Sequence, residues 1–437
     1  MKILNKTLIF LLLIATVSLT QAQRDCSNTS TGNIPINDLG TDTFMGYQGG
    51  LYPEGSNTMP MEHRSAGYQI GKSIRPLDTA GNVNMDEGAI VFAAIGASTA
   101  GNTFSTFKKT VKGDTLDRYN KCIKFIDMSF GGKGLETMTD PEIAWYWDVM
   151  RDSVLAPAGL TPAQVQIAWM KTGSKTDTIV EFPLQADSIY QKYTRAVLRL
   201  KDSFPNLKLL YLTSHAYGGY AGDSSNNVEV AGEPAAYYGG FSVKWLIGDQ
   251  VSGDMALRFN GPNPQAPWMA WAPYFWADGT TPRSTDGLTW ECDDYSEYEG
   301  GFHLSNQGKD KEAQMMIDFF YTDASSKKWF RNANRWTSCS PSARLASGEF
   351  WNDENPTFPD IFPSPNNGVF TYNVSDSEGF TYLRVFNHTG QLIYERNVDG
   401  SAANQVNIDL GNANSGLYYL VSSKNGQNKT TVFSVVK

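Results

Sequence analysis

The chain has 437 residues, 41% hydrophobic and 19% charged, a balance that supports two or three packed domains and excludes a disordered chain. Its net charge of −9 offers phosphates no basic face, which excludes nucleic acid as a partner. The four His (His63, His215, His303, His388) leave few general bases, and no Cys or His sits at zinc-ligand spacing, so neither a metal nor a cofactor is expected.

Residues 1–22 read as a signal peptide. Lys2 and Lys6 form its basic start, residues 8–17 its short apolar core, and Thr20-Gln21-Ala22 its small-residue cleavage site. No later stretch is long and apolar enough to cross a bilayer, so the mature chain is expected to be exported through the periplasm without a transmembrane segment. Export permits disulfides, and Cys26, Cys122, Cys292 and Cys339 allow three pairings.

Residues 23–87 are rich in Gly, Asn, Thr and Met with little periodicity, and read as an irregular segment wrapping the next domain. Residues 89–95 are an unbroken apolar run, the pattern of a strand buried on both faces. It breaks at Gly96 and presents Ser98 where open α/β sheets bind ligands. A second strand at 122–128 ends in Gly131-Gly132-Lys133-Gly134, a turn that brings backbone N–H groups close to a neighbour. Residues 140–154 read as a helix, 165–170 as a third strand, 188–204 as a helix and 207–212 as a fourth strand. This alternation predicts a three-layer α/β/α sandwich around a parallel sheet. The aromatic run 266–276 holds Trp271, Tyr274 and Trp276, which suit either a sugar-stacking surface or a core. Nearby Arg283 and Asp286 suit either holding a loop or touching substrate. His303 stands just before an amphipathic helix at 311–321 and can reach back over the strand ends. The domain is bounded at 23–350, with a Pro-rich linker at 351–361. Residues 362–437 carry short alternating strands, the pattern of a small all-β sandwich.

Two resemblances follow. The C-terminal stretch resembles the C-terminal sorting domain of the type IX secretion system of the Bacteroidota. The marks are Phe362-Pro363-Ser364-Pro365-Asn366-Asn367-Gly368, Val385-Phe386-Asn387-His388-Thr389-Gly390-Gln391 and Ser415-Gly416-Leu417-Tyr418-Tyr419; Ser364 stands where Asn is usual. That resemblance implies the type IX machinery as a partner and a secreted or cell-surface destination.

Residues 88–330 resemble the SGNH (GDSL-like) hydrolases, through Ile95-Gly96-Ala97-Ser98, the glycine turn 131–134, and His303-Leu304-Ser305-Asn306-Gln307-Gly308. The resemblance implies a flavodoxin-like α/β/α fold, Ser98 as nucleophile, His303 as base, and an oxyanion hole from Ser98 and Gly131 or Gly132. The family's third block ends in Asn-Asp, but here the strand runs Trp169-Met170-Lys171-Thr172-Gly173-Ser174, which leaves Lys171 as the candidate donor. The family's acid lies three residues before the His, where this chain has Gly300; Glu299 is the nearest substitute, with Asp293 and Asp294 as alternatives. His215 is a rival base within an aromatic loop. The expected function is a serine ester hydrolase acting on an acylated carbohydrate or small ester, with Trp271, Tyr274 and Trp276 binding substrate. The alternative is a non-catalytic carbohydrate-binding surface protein on the same fold.

Overall fold

A computed structural model describes residues 24–332, apart from 141–144, 176, 178, 223–230 and 298, and residues 361–435, apart from 363–365, 374–381, 388–390, 398–404, 412 and 425–426. The signal peptide, nearly all of the linker and Cys339 lie outside the described residues.

Five strands form one parallel sheet: β1 (Ile90–Gly96), β2 (Ile123–Asp127), β3 (Val165–Lys171), β4 (Leu209–Thr213) and β5 (Trp268–Trp271). They lie in the order β2-β1-β3-β4-β5. Every residue of β1, β3, β4 and β5 is buried, as a sheet covered on both faces requires. The coverage comes from α1 (Met61–Ser73), α2 (Ser98–Lys112), α3 (Leu184–Ser203), α4 (Ala235–Val251) and α5 (Asn306–Thr322). Helices α2 and α5 pack together, as do α3 and α4. Alternation along β3 sends Trp169 against Phe104 of α2 and Lys171 to Glu312 of α5, so these two helices share one face. Phe92 of β1 anchors that layer among Phe104, Phe107, Phe125, Phe320 and Trp329.

Helix α1 departs from the sequence reading. The segment read as irregular contains α1, whose buried positions are His63, Gly67 and Gly71. A Cβ at Gly67 would stand 2.2 Å from the Trp268 indole, and one at Gly71 would stand 2.0 Å from the Ser325 carbonyl. The helix presses its backbone on its neighbours instead of burying an apolar stripe, so hydrophobic periodicity does not reveal it.

The C-terminal residues form two antiparallel sheets from β6 (Ile361–Phe362), β7 (Val369–Asn373), β8 (Tyr382–Asn387), β9 (Leu392–Asn397), β10 (Gln405–Asp409), β11 (Gly416–Lys424) and β12 (Gln427–Val435). One has the order β9-β8-β11-β12 and the other β10-β7-β6. Phe370, Leu383, Val385, Ile408, Leu420 and Phe433 belong to a core separate from that of the α/β domain.

In the parallel sheet, chain order reverses at β1, which has β2 on one side and β3 on the other. Open α/β sheets form a ligand crevice at such a point, beyond the carboxyl ends of the strands. Ser98 and Lys171 both stand at these ends.

Candidate active site

The turn from β1 into α2 is tight. Gly96 has φ 150°, and a Cβ there would sit 2.1 Å from the Lys171 carbonyl oxygen, so only glycine fits. Ala97 is extended, and its carbonyl accepts from the Ala100 and Gly101 N–H groups. Ser98 is therefore the first helical residue, half-buried, at the positive end of α2. Its backbone N–H has no partner among the described residues.

His303 lies on the loop between a short helical turn at Cys292–Asp294 and α5. This loop is braced at several points. Tyr295 bridges Leu304, the Ser296 N–H donates to the His303 carbonyl at 2.8 Å, and the Ser305 N–H donates to the Asp294 carbonyl at 2.8 Å. The Ser305 hydroxyl caps α5. Asp294 is buried and accepts from Glu291 N–H (2.8 Å), Gln307 Nε2 (3.0 Å) and Lys311 Nζ (2.5 Å). The chain's beginning adds two ties: Arg24 donates to the Cys292 and Tyr295 carbonyls at 2.7 Å each, and Cys26 is disulfide-bonded to Cys292. Cys122 is disulfide-bonded as well.

The two elements meet at the dyad. Ser98 Oγ and His303 Nε2 are 2.7 Å apart, although 205 positions separate them in the chain. Partial burial lowers the imidazole pKa below the ordinary 6.5. The charge and carbonyl of Glu299 oppose that shift, and the charges of Lys309 and Lys171 reinforce it. The ring is thus neutral near pH 7, the state that accepts a proton.

The acid of a triad is absent from the described residues. His303 Nδ1 is buried without a hydrogen-bond partner among the described residues. Glu299 is exposed and acts on the ring by its charge and its backbone carbonyl, neither in hydrogen-bond geometry with Nδ1. Asp293 is exposed and paired with Arg24, and Asp294 is consumed by the loop contacts.

Other expected residues separate from the dyad. Lys171 does not stand as an oxyanion donor: its ammonium is buried and bonded to both carboxylate oxygens of Glu312 at 2.5 Å. The Thr103 hydroxyl also donates to Glu312. Burial pushes the Lys171 pKa down and the Glu312 pKa up, each toward its neutral form. Trp271, Tyr274 and Trp276 are core residues and offer a sugar no surface, because they are 3%, 4% and 0% exposed. The Trp271 and Trp276 indoles donate inward to the Leu51 carbonyl and Glu233. Arg283 pairs with Asp286 and donates to the Tyr274 and Trp276 carbonyls, which makes it a loop clamp. His215 is buried, and its pKa falls to about 3, chiefly through desolvation and also through the charge of Lys171.

Gly131 and Gly132 lie exposed on the turn after β2. The Phe130 N–H ties that turn to the Gly96 carbonyl at 2.8 Å, beside the start of α2. The N–H groups of Gly131 and Gly132 have no partner among the described residues. Sequence reasoning missed Glu312 and Thr103. A signal existed, since Glu312 falls beside Ala313, Met315 and Met316 on the buried stripe of α5.

Residues 360–437 match the family described as secretion system C-terminal sorting domain. No curated protein matches the chain. The tail supports type IX secretion, hence a cell-surface or extracellular destination, and no helix among the described residues is long and apolar enough to cross a membrane.

Proposed function

We propose that the α/β domain is a serine ester hydrolase that removes a small acyl group from a carbohydrate ester outside the cell. The observation that carries this reading is the 2.7 Å contact between Ser98 Oγ and His303 Nε2, at the carboxyl edge of the parallel sheet. The SGNH resemblance and the sorting tail agree with it.

Ser98 Oγ bonds to the ester carbonyl carbon while its proton passes to His303 Nε2. The charge that develops on the carbonyl oxygen meets the Ser98 N–H and the positive end of α2, with Gly131 or Gly132 N–H as a second donor. The imidazolium returns its proton to the leaving sugar oxygen as the C–O bond breaks. Water then repeats the sequence through the same nitrogen, releasing the acid and restoring Ser98. Glu299 stabilises the imidazolium by its charge and its backbone carbonyl. The carbohydrate half of the substrate rests on the family resemblance and the extracellular destination, with no part for the buried tryptophans.

The test is hydrolysis of 4-nitrophenyl acetate and acetylated xylan by the mature chain and by Ser98→Ala. The variant is expected to lose about a thousandfold or more in kcat. Equal rates overturn the reading. The partnerless His303 Nδ1 favours the second reading, a non-catalytic carbohydrate-binding protein, which predicts no hydrolysis by either chain.

A further inference from the structure

The oxyanion hole of the hydrolase reading depends on a turn that glycine makes lax. Gly131 and Gly132 stand at the centre of a turn closed by the Lys133 N–H on the Phe130 carbonyl at 3.1 Å, with Gly132 at φ 70°. A Cβ added at Gly131 would meet nothing within 4 Å, so space lies open before it. Glycine has the widest choice of backbone conformation, and two in a row fix the direction of an N–H poorly. An oxyanion donor has to stand in place before the charge develops. The turn therefore needs a hold from outside. The need is greater here because no Asn follows β3 and Lys171 is bonded to Glu312.

One side of the turn is tied through Phe130 to Gly96, two residues before Ser98. The other side is tied to the segment after β3, and Glu136 is the centre of that tie. Glu136 lies in the short helix Leu135–Thr139, which opens directly after the turn. Its Oε1 accepts from Ser174 Oγ at 2.5 Å and Lys192 Nζ at 2.9 Å, and its Oε2 accepts from the Lys175 N–H at 3.0 Å. Lys192, on α3, also donates to Ser174 Oγ at 2.7 Å. One residue earlier, the Leu135 N–H donates to the Gly173 carbonyl at 2.9 Å. Lys175 Nζ reaches the turn itself and donates to the Gly132 carbonyl at 3.2 Å. The two segments touch closely, since a Cβ at Gly134 would stand 2.8 Å from both the Gly173 carbonyl oxygen and Glu136 Oε2. Burial pushes the Glu136 pKa up, but the bonds from Ser174, the Lys175 N–H and Lys192 outweigh it and bring it down to about 2. The carboxylate is thus charged at every pH where a neutral His303 can act.

We propose that Glu136, held by Lys192 and Ser174, is a positioning residue for ester hydrolysis: it fastens the Gly131–Gly132 turn to the end of β3 and so fixes the second oxyanion donor. The assignment rests on the hydrolase reading. Glu136 acts through the turn and not on the dyad, so its loss slows the chemical step without weakening substrate binding or changing the titration of His303.

The test is Glu136→Gln, which keeps the shape of the side chain and sets an uncharged amide against Lys192. Hydrolysis of 4-nitrophenyl acetate is followed across pH in the mature chain and the variant, whose fold is checked by circular dichroism. We expect kcat to fall about tenfold or more with KM within about twofold, because a small misplacement of a donor costs rate. The acidic limb of the pH profile is expected to stay in place, and amide exchange to quicken at residues 130–135 before the sheet. Ser174→Ala removes one bond and no charge; it is expected to move the same readouts in the same direction and serves if Glu136→Gln does not fold. An unchanged kcat, a shifted acidic limb, or unchanged exchange at the turn overturns the assignment while leaving the enzyme. Absence of hydrolysis by the unsubstituted chain removes the hydrolase reading and this assignment with it.

Discussion

At the scale of single residues, the dyad is held by geometry and tuned by charge. Burial and two lysines lower the His303 pKa, and Glu299 raises it. Protonated His303 cannot accept the Ser98 proton, so kcat/KM is expected to rise with pH through an apparent pKa below the ordinary 6.5. Glu299→Gln removes a charge that favours the imidazolium, which moves this acidic limb to lower pH. Because Glu299 makes no hydrogen bond to Nδ1, the substitution is expected to cost less than about tenfold in kcat, where a bonded triad acid costs several orders more. A pH–rate profile of both proteins checks both statements. The buried Lys171–Glu312 pair makes a separate prediction. Lys171→Met strands the Glu312 carboxylate and is expected to cost about 3–5 kcal/mol of stability, much of it regained in Lys171→Met/Glu312→Leu. Urea unfolding of the two variants measures it. Ser98 and His303 were legible because the break after an apolar strand and the residue before a helix are local patterns. Lys171 was legible as a strand end, but not its partner, because the ion pair depends on how α5 crosses the sheet.

At the scale of elements, α2 and the His303 loop are the moving parts of the account. Helix α2 has one permitted entry, through Gly96. The loop instead depends on distant chain: Arg24 and Cys26 both fasten the Cys292 turn, from which the chain runs on to His303. Replacing both cysteines in Cys26→Ser/Cys292→Ser is expected to lower stability by about 2–5 kcal/mol. The larger expectation is local. Amide exchange should quicken first at residues 292–304, with activity lost at lower denaturant concentration than the sheet, since loops held by few contacts open before the core. Exchange that quickens equally throughout the α/β domain contradicts this role. The parallel sheet was legible from alternating apolar runs. Helix α1 was not, because glycines form its inner face, and neither was the burial of Trp271, Tyr274 and Trp276, because an aromatic run reads alike as core or as surface.

At the scale of the whole molecule, a domain with a candidate catalytic crevice is joined to a tail that directs export. The two have separate hydrophobic cores. Removing residues 360–437 is therefore expected to leave the α/β domain folded but retained in the periplasm, which cell fractionation detects; normal appearance of the truncated chain in the medium contradicts it. The tail was the most legible part of the sequence, because its short strands and Gly-rich turns repeat locally. The reach of His303 across the sheet to Ser98 is a tertiary fact, and it is the one on which the functional account stands. Its most direct test is labelling with a fluorophosphonate, which reacts with a serine hydroxyl only when a base activates it. The account predicts one modification, on Ser98, located by peptide mass spectrometry and lost in His303→Ala. An unmodified Ser98 in the folded mature chain contradicts it.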